Sequence, residues 1–246
     1  MNLKKLAAVG ASLVLSTVTV AAVAAPAQAG PLRTYRVSVE TLVTSQPLSP
    51  GVVVTTSSNA PSQAFGSGNL ITSPMARLAQ AGAQTPLVDA YRNASGTTEV
   101  VDVARPITPR GSSAGGFTDT VTVDIKANTN DVLSVAFMLV CTNDGYVLLD
   151  RFDLAGMTGN IEIVDLYAYD GGVEQNTERS QDLADPCSGI GPAPLSGDPN
   201  GNDDTTTRTT PQQPFSLHSG INGGADLTAA HDWNGPVASV TITRIS

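Results

Sequence analysis

Hydrophobic and polar residues alternate along most of the chain. Tyr35, Val37 and Val39 point one way while Arg36, Ser38 and Glu40 point the other, the period-two pattern of a half-buried strand. Phe117, Val121, Val123 and Ile125 alternate in the same way with Thr118, Thr120, Thr122, Asp124 and Lys126. Val240 and Ile242, set between Ser239, Thr241 and Thr243, predict a last strand that ends near Ile245. Val132–Val140 and Ile161–Tyr169 are denser in apolar residues and predict central strands, with Val52–Thr56 and Val100–Ala104 as shorter candidates.

Helical signal is scarce. Ser73-Pro74 followed by Met75, Leu78 and Ala79 supplies a cap, a first-turn proline and an apolar i, i+3, i+4 face. Pro86 to Arg92 predicts a second short helix. Leu183 to Pro214 is rich in Pro, Gly, Asp and Thr without periodicity, which predicts a long surface loop, since another strand follows it. The fold class is therefore mostly β, an antiparallel two-sheet sandwich with one or two short helices.

The amino terminus reads differently. Lys4 and Lys5 precede an apolar run from Leu6 to Val23, and Ala27-Gln28-Ala29 closes it with the pattern a signal peptidase accepts. Residues 1–29 are expected to be a cleaved leader and 30–246 one exported domain, secreted to the extracellular or periplasmic side. No second stretch reaches the roughly 18 apolar residues of a membrane span. The chain has 13 basic and 22 acidic residues; the leader takes two lysines and no acid, leaving Lys126 as the only lysine beyond it. Such a balance excludes a nucleic-acid partner, which needs clustered Lys and Arg. It leaves carboxylates in surplus for a hard cation. Cys141 and Cys187 are the only cysteines, and an exported chain meets oxidants, so a disulfide between them is expected.

The carboxylates fall in a pattern. Thr142-Asn143-Asp144-Gly145 reads as a turn after Val132–Val140, Tyr146 to Phe152 returns, and Ala155 to Gly159 turns the chain again. Ile161–Tyr169 then runs in the first direction and opens into Asp170-Gly171-Gly172-Val173-Glu174. Alternate turns of an antiparallel meander lie at one end of the sheet, so Asp144 is expected on the same rim as Asp170 and Glu174. Converging carboxylates repel unless protons or a cation neutralise them, and calcium, with 6–8 oxygen ligands, suits such a rim. Three separate solvated loop acids are the competing reading.

Several of these segments carry a resemblance. Tyr35-Arg36-Val37-Ser38-Val39-Glu40-Thr41-Leu42 with Gln46-Pro47-Leu48-Ser49-Pro50 resembles the opening of the spondin domain, found near the amino terminus of F-spondin and in mindin. Ser134 to Asp144 and Asp165-Leu166-Tyr167-Ala168-Tyr169-Asp170-Gly171-Gly172-Val173-Glu174 continue it. His218-Ser219-Gly220-Ile221, Asp226-Leu227 and Asp232-Trp233-Asn234-Gly235-Pro236-Val237-Ala238 close it, so the likeness runs from about 34 to 245. The resemblance implies a C2-like β-sandwich with one calcium ion (Ca2+) at a loop rim. Its ligands would be an aspartate after a central strand and two acids four apart, places that Asp144, Asp170 and Glu174 occupy. Glu174 stands where animal members have aspartate, and its extra methylene shifts the carboxylate outward. The neighbouring thrombospondin-type repeats of the animal proteins are absent, as in a stand-alone bacterial relative.

The implied role is adhesion or extracellular recognition, with a glycan or a surface protein as partner and no enzymatic activity. A polysaccharide hydrolase using the same acids, and a structural envelope protein, are the alternatives. Other motifs carry less. Asp198-Pro199-Asn200-Gly201-Asn202-Asp203-Asp204 superficially looks like an EF-hand loop, but Asp203 stands where its glycine belongs and Thr209 where its glutamate belongs. His218 and His231 match no metal-ligand spacing, and His218 is expected to be a structural or surface residue. Trp233 could stack on a sugar or anchor the final strand.

Overall fold

The computed structural model describes residues 31–184, 186–195 and 207–246. The expected leader and the Asp198–Asp204 motif lie outside the described residues. Ten strands form two antiparallel sheets, as the alternation predicts. The first sheet has the order β4 (Thr120–Ala127), β1 (Arg33–Thr41), β10 (Ala238–Arg244), β7 (Ile161–Leu166). The second has the order β3 (Thr97–Val103), β2 (Leu48–Ser57), β5 (Asp131–Leu139), β6 (Gly145–Asp153), β8 (Ala168–Asp170), β9 (Ser216–Leu217). Val37 sits opposite Ile242 and Val123, and Val39 opposite Val240 and Val121, so the apolar positions line one face.

That face packs on the second sheet. Tyr35, Val37, Val39, Val121, Ile125, Val240 and Ile242 share one core with Val53, Leu133, Val135, Phe137 and Val147. The far side of the second sheet is covered by α1 (Ser73–Ala81) and α2 (Thr85–Asn93). Met75, Leu78, Leu87 and Tyr91 from these helices meet Val52, Val54, Ala136 and Tyr146. All nine residues of β5 are therefore buried, which is why its sequence runs apolar instead of alternating. A four-residue helix, α3 (Cys187–Ile190), is the third α-helix among the described residues. No helix among the described residues is long and apolar enough to cross a membrane.

Four expectations change. Ile161–Tyr169 is not one central strand. β7 is an edge strand paired with β10, and the chain crosses to the other sheet at Tyr167 to form β8 beside β6. Leu166 and Ala168 are both buried with Tyr167 half-exposed between them. Alternation thus continues unbroken across the switch, so the pattern could not reveal it. The α1 cap is Thr72, one residue before Ser73, whose hydroxyl accepts from the Met75 amide. Phe117 lies before β4 begins. The Leu183–Pro214 stretch is not all surface loop: Leu183, Cys187, Ile190 and Leu195 are buried.

The disulfide is formed. Cys141, just beyond β5, is bonded to Cys187 in α3, with 5.1 Å between their Cα atoms. Val140, Leu183, Leu195 and Leu227 pack around it.

One backbone position tests the strand packing within the second sheet. Gly51 pairs with Phe137 across β2 and β5, and a Cβ there would lie 2.5 Å from the Ala136 carbonyl oxygen. Backbone cannot yield as a side-chain tip does. Gly51→Ala should destabilise the fold by about 1–3 kcal/mol, lowering Tm by several degrees in a thermal melt; an unchanged Tm would contradict this packing.

Candidate functional site

The turn after β5 is built from its own side chains. Thr142 Oγ1 donates to the Leu139 carbonyl at 2.6 Å and accepts from the Gly145 amide at 2.9 Å. A Cβ on Gly145 would lie 2.4 Å from that same hydroxyl, so glycine permits the close approach. Asn143 reaches across to the segment after the acidic loop. Its amide donates to the Asp182 carbonyl and to Thr177 Oγ1, and its oxygen accepts from the Glu178 amide.

Asp144 then faces inward. It is fully buried, and the loop beyond β8 is folded around it. Its Oδ2 accepts the amides of Val173 at 2.7 Å and Glu174 at 2.9 Å, and its carbonyl accepts the Gly171 amide at 3.1 Å. Gly145 sits opposite Asp170 in the β6–β8 pairing, so the two acidic turns share one end of the sheet. The meander argument reaches this end correctly, although the strand that delivers Asp170 has only three residues.

The three acids differ in their partners. Asp170 Oδ1 accepts from the Gly172 amide at 2.8 Å and Oδ2 from the Asn176 carboxamide at 2.5 Å. Glu174 is buried, and its carboxylate accepts from Gln80 of α1 at 3.0 Å. Asp144 Oδ1 is buried with no hydrogen-bond partner among the described residues. Burial, and after it the neighbouring Asp170 charge, raise the Asp144 pKa to about 7, against the backbone hydrogen bonds that lower it. The sequence-derived trio is therefore only partly assembled. Asp144 and Asp170 are coupled, whereas the Glu174 backbone joins the rim and its carboxylate is held by the helix. Among the described residues, the donor atoms of the three acids do not all lie within 4.8 Å of one another.

A calcium ion would answer one deficit here. The unpartnered Asp144 oxygen and the adjacent Asp170 carboxylate suit a hard cation that takes oxygen ligands. Those two residues fit as donors; Glu174 would have to exchange its Gln80 bond for the metal.

The set that does lie within 4.8 Å, among the described residues, is Cys141, Cys187 and His231. Both sulfurs are committed to the disulfide. His231 is buried, which lowers its pKa, and its Nδ1 accepts from the Thr228 amide while its carbonyl accepts from Gln46. It serves structure. His218 is also held down by burial, and Trp233 rests half-buried against the main core.

Sequence reading missed Glu178. This buried glutamate, at φ 56°, accepts the amides of Asn222, Gly223 and Gly224 and pins the loop that leads to β10. The Asn222-Gly223-Gly224 run was the available signal, since such a run lets consecutive amides converge on an anion. Asp182, buried with Oδ1 unpartnered, was likewise unforeseen. No protein-family model matches the chain, and no curated protein matches it in sequence.

The raised pKa sets the sign of a pH effect. A carboxyl that holds its proton more tightly when folded favours the fold below its unfolded pKa. That advantage is lost as pH rises through the folded value near 7. Metal-free protein should lose stability between about pH 4 and pH 7, by at most a few kcal/mol. Asp144→Asn keeps an oxygen for both amides and removes the charge, so its urea-melt stability should fall clearly less over that range than that of the parent protein. Parallel profiles for the two proteins would refute the assignment.

Proposed function

We propose that the chain is an exported, spondin-type binding module whose rim acids hold one calcium ion, and that it works by recognition of an extracellular glycan or surface protein without turnover. The observation that carries the metal is the buried Asp144 carboxylate, with one oxygen unpartnered and Asp170 as its neighbouring charge. A cation there would relieve both the desolvation and the repulsion. Export is supported by the disulfide, which persists in oxidising compartments. The spondin resemblance supplies the reading of adhesion or recognition. It is supported by a sandwich of two antiparallel sheets with the acidic turns at one end.

A raised carboxyl pKa beside a second carboxylate is also what a hydrolase needs in a general acid. Burial argues against that use. Asp144 has no exposed surface, and its Oδ2 is engaged by two backbone amides. A general acid must reach the leaving group of a substrate.

The test is a thermal melt in calcium and in EDTA. Calcium at about 100 times its dissociation constant adds about 2.7 kcal/mol, which should raise Tm by roughly 5–10 °C. Asp170→Asn should remove most of that rise while leaving the melt in EDTA cooperative. Identical melts in calcium and EDTA would sink the metal reading. Hydrolysis of a polysaccharide that disappears in folded Asp170→Asn would sink the reading of a binder.

A further inference from the structure

The switch from β7 to β8 creates a second feature. Tyr167, left at the corner between the sheets, is half-exposed, and Leu217 of β9 beside it is 65% exposed. Together with His218, Ser219, Trp233 and Asn234 they line a pocket of about 350 Å³. We propose that this pocket binds one ring of a neutral saccharide. The inference rests on the binding-module reading and names the ligand class and the place.

Four observations point there. Trp233 packs against the main core and also lines the pocket, so its indole is fixed in place. With Tyr167 it offers aromatic surface, whose negative faces attract the polarised C–H bonds of a pyranose. Polar groups stand ready between them. The Ser219 hydroxyl and the Asn234 carboxamide are both exposed and make no hydrogen bond among the described residues. The Gly220 amide donates to His218 Nδ1 at 3.1 Å, so the neutral imidazole carries its proton on Nε2, which has no partner. That atom is buried, so His218 shapes the wall and leaves the polar contacts of a ligand to Ser219 and Asn234.

The pocket is also built before any ligand arrives. Asp232 Oδ1 accepts the Ile221 amide at 2.9 Å and joins the two loops that form its sides. Gly220, at φ 87°, would place a Cβ 2.6 Å from that carboxylate, so only glycine lets the loops come this close. The His218 amide donates to the Ala168 carbonyl and ties the wall to β8. Pre-organisation of this kind lowers the entropy cost of binding.

Electrostatics select the class. Asp170, Glu178 and Asp232 act on His218, while no lysine or arginine lines the pocket. A sulfated or uronic sugar would meet like charge without a cation to receive it. A neutral ring meets hydroxyl, amide and aromatic groups, the mixture of a small-molecule site.

Trp233 is the only tryptophan in the chain, so intrinsic fluorescence reads this pocket directly. The probes are hexasaccharides of cellulose, xylan, mannan and chitin, with hexagalacturonate as the anionic comparison, each titrated to about 1 mM and checked by calorimetry. At least one neutral probe should change the Trp233 emission saturably, and hexagalacturonate should not. Tyr167→Ala, at a half-exposed corner, should weaken binding by about tenfold or more with an unchanged melt. Trp233→Phe should remove the signal and weaken the calorimetric affinity. A neutral probe that binds by calorimetry with equal affinity to wild type and Tyr167→Ala overturns this site while leaving a glycan-binding module intact. Binding of hexagalacturonate alone overturns the neutral class. Binding of none of the probes overturns the saccharide assignment, whereas the calcium melt judges the module itself.

Discussion

Much of this protein's irregular structure depends on one carboxylate that has been taken out of water. Asp144 Oδ2 holds two consecutive amides and its carbonyl a third, so residues 171–174 are wrapped around a group that water would otherwise solvate. The constraint propagates outward. The wrapped loop pairs next with the later segment, through the Thr209 amide on the Val173 carbonyl and the Gln213 amide on the Gly172 carbonyl. It also reaches the helical layer through Gln80 on Glu174. A three-residue β8 has little pairing of its own, and these bonds hold it against β6. Burying such a charge is costly, and its cost falls on the other oxygen, which has no partner.

The arrangement divides the molecule into two kinds of stability. The two sheets and the helices are held by apolar burial, which is indifferent to pH and to metal. The acidic end is held by hydrogen bonds to carboxylates: Asp144 on 173 and 174, Glu178 on 222–224 and Asp170 on Asn176. The disulfide anchors the same region, since Cys141 precedes the Asp144 turn by three residues. Solution conditions should therefore act mainly on the loops. A recognition surface placed there would be tuned without disturbing the core.

The sandwich was legible because β1, β4 and β10 repeat with period two and because β5, covered on both sides, shows no alternation at all. Asp144 and Asp170 were legible as neighbours because antiparallel turns recur at one end. Glu174 was less so. Spacing along the chain places its backbone, but the longer side chain found Gln80, whose position depends on how α1 packs. The change of sheet at Tyr167 left no trace in the pattern, since Leu166 and Ala168 keep their alternation through it. The pocket that the change creates was hidden for the same reason. Trp233 was weighed as anchor or sugar platform, and the fold gives it a place in the core and in the pocket wall. His231 beside the disulfide could not have been read from spacing, because only tertiary packing brings residues 141, 187 and 231 together.

The central claim is that Asp144 is a buried carboxyl whose charged form a cation would stabilise, and its own carboxyl carbon reports on it. Carbon-13 NMR of the Asp144 side chain, followed against pH with and without calcium, measures that charge directly. Without calcium the carboxyl should titrate near pH 7. With saturating calcium it should stay ionised to well below that, because the bound cation favours the charged form. A midpoint in the ordinary aspartate range in both conditions, or a midpoint near 7 that calcium does not move, would contradict the account.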